Sequence, residues 1–223
     1  ASATSYLTEA AVRQIVESGI LPEGALQLIC GSAGDLLDHL DCQDVVTFTG
    51  SAETGKMLKR HPSIVEHSIR FNMEADSLNC SILGPDAEPG TEEFNLFVRE
   101  LSREITIKAG QKCTAIRRAI VPKHLTEAVA AAVSDKLKNT VIGDPSVEGV
   151  RMGPLAHKGQ VADVKAKVKQ LLGACEVVYG DLDAVNVVGA DSERGSFMSS
   201  MLLLCNEPFR HREPHEVEAF GPV

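Results

Sequence analysis

No apolar run in this sequence approaches the roughly 18 residues that cross a bilayer, so no membrane-spanning helix is expected. The opening ASATSYLTEA has no charged segment leading into an apolar one, so no secretory signal is visible. Tryptophan is absent and no basic block stands out. The formal net charge of -9 argues against a nucleic-acid surface. Six cysteines, at positions 30, 42, 80, 113, 175 and 205, show no CxxC spacing. That pattern is neither a disulfide framework nor a zinc site, and it reads as reduced thiols in a cytoplasmic protein. Internal repeats and low-complexity tracts are missing as well.

What is present is enough apolar material for one large domain or two small ones, 43% of 223 residues. Helical and strand-like patterns alternate, which predicts an α/β fold with parallel strands and helical crossovers. The spacing predicts a helix over Thr8 to Ser18, stopped by Gly19, and strands over Leu26 to Cys30 and Val45 to Thr49. Leu36 to Leu40 reads as part of a short helix and Ala52 to Arg60 as a longer one. Ile69, Phe71 and Met73 alternate with polar residues as in a half-buried strand, and Asn79 to Leu83 follows as another. The loop Asp86 to Gly90 is the expected domain boundary, dividing residues 1–85 from 86–223.

Beyond that loop, Thr91 is placed to cap a helix whose stripe is Phe94, Phe97, Val98, Leu101 and Ile105. A strand over Ala119 to Val121, a helix from Leu125 to Leu137 and an amphipathic helix marked by Val161, Val164, Val168, Leu171 and Leu172 come next. Val177 to Tyr179 and Met201 to Leu204 are the last strand-like segments.

Three stretches carry candidate chemistry. In KAGQKCTAIRR, Cys113 lies among Lys108, Lys112, Arg117 and Arg118. Nearby positive charge favours the nucleophilic thiolate, although a core cysteine in a basic loop fits the local sequence too. In FTGSAETG, a strand turns through Gly50 and Ser51 into a helix start, where free backbone N–H groups favour an anion such as a cofactor phosphate. The dinucleotide pattern GxGxxG is absent, and an ordinary turn capped by Ser51 is the competing interpretation. Glu74 closes a half-buried strand, where apolar neighbours raise a carboxylate's pKa toward that of a general base; a solvated loop acid is the plainer alternative. His211 and His215 have an i, i+4 spacing, but Pro214 between them argues for a surface loop rather than a metal site.

Taken together with the terminal EAFGPV, these stretches resemble the aldehyde dehydrogenase superfamily. FTGS is similar to that family's cofactor turn, GQKCTAIRR to its nucleophile loop and EAFGPV to its C-terminal cofactor-contacting motif, in the family's order and approximate spacing. Within the family, MEADSLN and KAGQKCTAIRR are most similar to the branch that oxidises ring-opened CoA-thioester semialdehydes in phenylacetate degradation. The resemblance implies the second half of a Rossmann-type NAD(P)-binding domain (1–85) and an α/β catalytic domain (86–223). It assigns Cys113 as nucleophile and Glu74 as general base. Gly50, Ser51, Glu218 and Phe220 become cofactor-binding residues, with no metal. The implied substrate is an aldehyde, the cofactor NADP or NAD, and the full-length assembly a homo-oligomer; the alternatives are another aldehyde or CoA-semialdehyde dehydrogenase, for example of benzoate degradation, and a catalytically silent nucleotide-binding chain.

Three departures accompany the resemblance. ADSLN stands after Glu74 where most of the family has LGGK, and Met198-Ser199-Ser200-Met201 replaces the usual PPT. The family's ribose-binding lysine and oxyanion-hole asparagine would precede Ala1, so the chain is expected to be the middle of a longer enzyme and inactive alone. Ser2 falls where NAD-preferring relatives often carry Glu, and a small residue there leaves room for a 2′-phosphate.

Overall fold

A computed structural model describes residues 4–223. Ser2, which carries the expectation about a 2′-phosphate, lies outside them. The chain divides into two compact units, Ala1–Asp76 and Ser77–Val223. The sequence reading puts this division later, in the loop at Asp86–Gly90. The difference has a simple cause: Asn79–Ile82 hydrogen-bonds to a strand of the second unit and belongs with it.

In the first unit, α1 (Thr4–Glu17) ends before Gly19, whose φ of 68° terminates it as expected. Leu26 to Cys30 does not form the expected strand. Leu28 and Ile29 are exposed, and no strand among the described residues pairs with that segment. A 3₁₀ turn (Leu36–His39) leads to β1 (Val45–Gly50), α2 (Ala52–Lys59), α3 (Pro62–Glu66) and β2 (Arg70–Ala75). The sequence reading omits α3, whose start is marked by Pro62 at its first turn. β1 and β2 are parallel, with Thr49 opposite Glu74 and Gly50 opposite Ala75. Parallel pairing puts the carboxyl ends of both strands at one edge, where ligands of open α/β sheets bind.

The second unit holds the main cores. β3 (Asn79–Ile82) and β4 (Ile116–Ile120) are parallel and joined through α4 (Glu92–Thr106). β4 begins earlier than the expected Ala119 because its ladder starts where Ile116 pairs with Asn79. Thr91 caps α4 by accepting from the Phe94 N–H at 3.3 Å, and every residue of the expected stripe is buried. That stripe packs with Leu125 and with Val129, Val133 and Leu137 of α5 (Thr126–Lys138). Truncating Phe97 there would cost about 3–5 kcal/mol in lost transfer energy and cavity.

A second core joins Val164, Val168 and Leu171 of α6 (Lys158–Leu171) to Ala109, Met152, Leu155, Met198, Met201 and Ala219. Leu172, expected on the same stripe, is largely exposed at the helix end. β5 (Glu176–Tyr179) and β6 (Leu202–Leu204) pair antiparallel, and α7 (Glu213–Glu216) is a single turn. Two segments distant in sequence thus meet in one core: Ala109, at the start of the cysteine loop, and Ala219, in the terminal motif.

Candidate active site

The cysteine loop begins with strain. Lys108, Ala109 and Gly110 all have positive φ, at 52°, 51° and 69°. Left-handed backbone costs a non-glycine residue about 1–2 kcal/mol, so the surrounding packing must hold this turn in place. At Gly110 a Cβ would collide with the carbonyl of Gly221. Only glycine lets the loop and the terminal motif approach so closely.

From there the backbone is fixed on several sides. Asn79 Nδ2 donates to the carbonyls of Cys113 and Ala115, at 2.8 and 3.2 Å. Gln111 Nε2 donates to Gln160 Oε1 at 2.9 Å and to the Phe220 carbonyl at 3.4 Å, while its Oε1 accepts from the Ala156 N–H at 2.8 Å. Ala115 is fully buried, whereas Cys113 is exposed. The result is a solvent-accessible thiol on an anchored backbone, the arrangement a nucleophile needs to meet a substrate in a fixed orientation.

Three of the four neighbouring cations do other work than the sequence suggests. Lys112 Nζ is bound to Glu104 Oε1 at 2.6 Å. Arg118 donates twice to the Leu78 carbonyl, at 2.6 and 3.1 Å, and lies 3.3 Å from His215 Nδ1. Arg117 is turned into the protein, with a side chain only 4% exposed. Its Nη2 donates to the Gly110 carbonyl at 2.6 Å and its Nη1 to the Gly221 carbonyl at 2.8 Å. The guanidinium also lies 5.4 Å from the centre of the Phe220 ring, and Nε is 3.9 Å from Glu218 Oε1. Burial lowers the Arg117 pKa, opposed by the charges of Glu218 and Glu104. The side chain stays cationic, as arginine does in proteins. Charge-assisted bonds of this kind contribute about 1.5–3 kcal/mol each, against the several kcal/mol that desolvating an ion costs. Three of the four cations are therefore committed to building the loop.

Glu218 and Phe220, expected to bind cofactor, are thus brought beside the cysteine loop through Arg117. Glu218 Oε2 also accepts from the Ser77 N–H at 3.3 Å. The terminal motif is held further by the Met201 N–H, which donates to the Pro222 carbonyl at 2.8 Å. Arg117 is the functional residue the sequence reading undervalues, since a cation four residues from a cysteine reads as a local charge. No local signal marks it, because one of its two carbonyl partners, Gly221, is 104 residues away.

In the first unit, Gly50, Ser51 and Glu74 come together at the carboxyl edge of the β1–β2 pair. Ser51 caps α2, its hydroxyl accepting from the Thr54 N–H at 3.3 Å. The Ala52 N–H is not free as expected, because it donates to Asp76 Oδ1 at 3.0 Å. Asp76 adopts a φ of 46°, a glycine-like conformation at the place where most of the family has LGGK. Glu74 is solvent-exposed, so the apolar shielding expected from its neighbours is not found within this unit. Each unit taken by itself carries groups of a kind that a nicotinamide nucleotide would need. In the first, the α2 start would offer N–H groups to a phosphate once Asp76 yields, and in the second, Glu218 would offer a carboxylate to hydroxyl groups.

His211 and His215 belong to no group of three potential metal ligands among the described residues. His215 Nε2 lies 2.9 Å from the Pro208 carbonyl instead. An open depression of about 260 Å³ lined by Cys175, Glu176, Glu207 and His211 contains none of the expected site residues. No described helix is long and apolar enough to cross a membrane.

Comparison with known proteins bears on the family and the fold. The chain is 48% identical over its whole length to 3,4-dehydroadipyl-CoA semialdehyde dehydrogenase of Aromatoleum evansii, and spans 43% of that protein. Its fold matches betaine aldehyde dehydrogenase of Staphylococcus aureus in complex with NAD+, with a TM-score of 0.81 and 24% identity, covering 97% of this chain and 41% of the other. A cysteine-to-alanine mutant of aldehyde dehydrogenase C from Pseudomonas syringae, bound to NAD+ and octanal, matches at a TM-score of 0.77 and 25% identity over 94% of this chain and 41% of its own. The aldehyde dehydrogenase family profile matches residues 1–223. With that match spanning the chain, and with the glycine-lined clamp between the cysteine loop and the terminal motif, the chain belongs to the aldehyde dehydrogenase family.

Proposed function

We propose that the full-length protein carrying this chain oxidises an aldehyde to a carboxylic acid through a thioester on Cys113. The observation that carries this reading is the exposed Cys113 thiol on a backbone anchored by Asn79, Gln111 and Arg117. The Cys113 thiolate adds to the aldehyde carbon and forms a hemithioacetal oxyanion, to which the Cys113 backbone N–H is one donor. A nicotinamide cofactor would supply the two-electron acceptor that turns this adduct into the thioester. Glu74 takes a proton from water, the hydroxide attacks the Cys113 thioester, and the thiolate departs with the acid as product. Glu218 and Phe220 would hold such a cofactor, and the Gly50–Ser51 turn would offer its N–H groups to a phosphate.

The substrate class is a CoA-thioester semialdehyde. Identity of 48% to an enzyme named for 3,4-dehydroadipyl-CoA semialdehyde favours that acyl chain over the ring-opened semialdehyde of phenylacetate degradation. NADP is the proposed cofactor, with Ser2 as its sequence argument. The test is steady-state oxidation of both CoA semialdehydes and of a simple aldehyde by the full-length protein, each with NADP and with NAD. The proposal expects the CoA substrates to be preferred at least tenfold in kcat/KM, with NADP ahead of NAD. Equal rates with a simple aldehyde would overturn the substrate assignment, and a clear NAD preference the cofactor assignment.

A further inference from the structure

Arg117 is spent in a way that the chemistry of Cys113 alone does not require. Its guanidinium reaches the carbonyl of Gly110, at the start of the cysteine loop, and the carbonyl of Gly221, at the end of the terminal motif. Between these two bonds it faces the ring of Phe220 and directs Nε toward Glu218. Nε is buried and makes no hydrogen bond, stopping 3.9 Å from Glu218 Oε1. Three of the contacts fall within Glu218–Gly221, the stretch assigned to the cofactor, and the fourth is three residues before Cys113. A Cβ at Gly110 would fall on the Gly221 carbonyl, so the two segments approach too closely for a side chain there.

We infer that Arg117 is a positioning residue that couples the cofactor motif to the nucleophile loop, so that cofactor engaged at Glu218 and Phe220 alters the presentation of the Cys113 thiol. The inference rests on the proposed function, because it takes Glu218 and Phe220 as cofactor contacts and Cys113 as the nucleophile. Its physical basis is that one rigid planar fork makes all four contacts. A guanidinium bonded to two carbonyls cannot follow Glu218 or Phe220 without carrying Gly110 with it. Coupling of this kind is reciprocal: cofactor affinity and thiol presentation shift together. Lysine at this position would keep the charge but lose the two-carbonyl fork.

The experiment is the alkylation rate of Cys113 in the full-length protein, read by peptide mass spectrometry without cofactor and at saturating NADP or NAD. Saturation removes any effect of affinity, so the ratio of the two rates reports the coupling alone. The unmodified protein is expected to show a ratio at least threefold from unity. Arg117→Met and Arg117→Lys are both expected to bring it to about one. If Arg117→Met does not fold, Arg117→Lys decides, because it retains the buried cation. A ratio of one in the unmodified protein, or a ratio that survives in Arg117→Lys, overturns the inference. Mere shielding of the thiol by cofactor predicts the latter outcome. Aldehyde oxidation that persists in Cys113→Ala would instead overturn the functional reading, and the inference with it.

Discussion

Asn79 Nδ2 donates to the carbonyl of Cys113 at 2.8 Å, and the same amide reaches the Ala115 carbonyl at 3.2 Å. Asn79 starts β3 and Ile116, its register partner, starts β4, so strand pairing itself delivers the amide to the loop. Asn79→Ala leaves both carbonyls without this donor. In the full-length protein the substitution is expected to cost about 1–3 kcal/mol. Thermal unfolding would show the loss, and alkylation of Cys113 would change where that of the exposed Cys42 does not.

Two substitutions in the left-handed turn should act in opposite directions. Gly110→Ala drives a Cβ into the Gly221 carbonyl and should destabilise by more than about 2 kcal/mol. Lys108→Gly removes an exposed side chain from a φ of 52° and should stabilise by up to about 1 kcal/mol. Gly149→Ala is the control, since its φ is also positive but nothing lies near its Cβ. Equal effects of Gly110→Ala and Gly149→Ala would show that the close approach to Gly221 does not matter.

Asp76 accepts from the Ala52 N–H at the start of α2, where the proposed function puts a cofactor phosphate, and it brings a negative charge to the same place. Asp76→Gly removes the competitor and relieves the positive φ together. Titration of NADPH by fluorescence should show Kd falling several-fold while the melting temperature changes little. Weaker binding in this variant would mean that the carboxylate helps to organise the turn.

Burial, with Cys205 and Glu213 nearby, pushes the Cys175 thiol up from 9.0 to about 11. The folded state therefore favours the protonated thiol. Stability linked to it is intact below pH 9 and is lost as pH climbs toward 11. Melting curves between pH 8 and pH 11 should fall less steeply for Cys175→Ser than for the unmodified protein. Cys175 should also be alkylated more slowly at about pH 9 than the exposed Cys30 and Cys42. Reaction of Cys175 at their rate would contradict the burial argument.

Much of the fold was legible because local signals and tertiary packing agree. The stripe from Phe94 to Ile105 is apolar at helical spacing, capped by Thr91, and buried throughout. Leu26 to Cys30 failed as a strand because β-like composition needs a pairing partner to become a strand, and composition does not report one. Cys113 stood out in sequence, and its exposure fits the role expected of it. Its cations were misread: Lys112, Arg117 and Arg118 looked like a field around the thiol, and they are instead bonded to Glu104, to the Gly110 and Gly221 carbonyls and to the Leu78 carbonyl. Which acceptor a long cationic side chain finds depends on contacts 7 to 104 residues away, beyond the reach of any local pattern. Asp76 was hidden for a similar reason, because its partner Ala52 is 24 residues distant.

The most direct test of the account is a rapid-mixing measurement of NADPH formation by Glu74→Gln and Cys113→Ala in the full-length protein, with mass analysis of the quenched enzyme. A cysteine nucleophile with a separate base for hydrolysis predicts that Glu74→Gln releases a burst of about one equivalent of NADPH per site and then stalls, with the acyl group on Cys113. Cys113→Ala should give neither burst nor adduct. NADPH formation by Cys113→Ala, or an acyl adduct on a residue other than Cys113, would contradict the assignment of Cys113 as nucleophile.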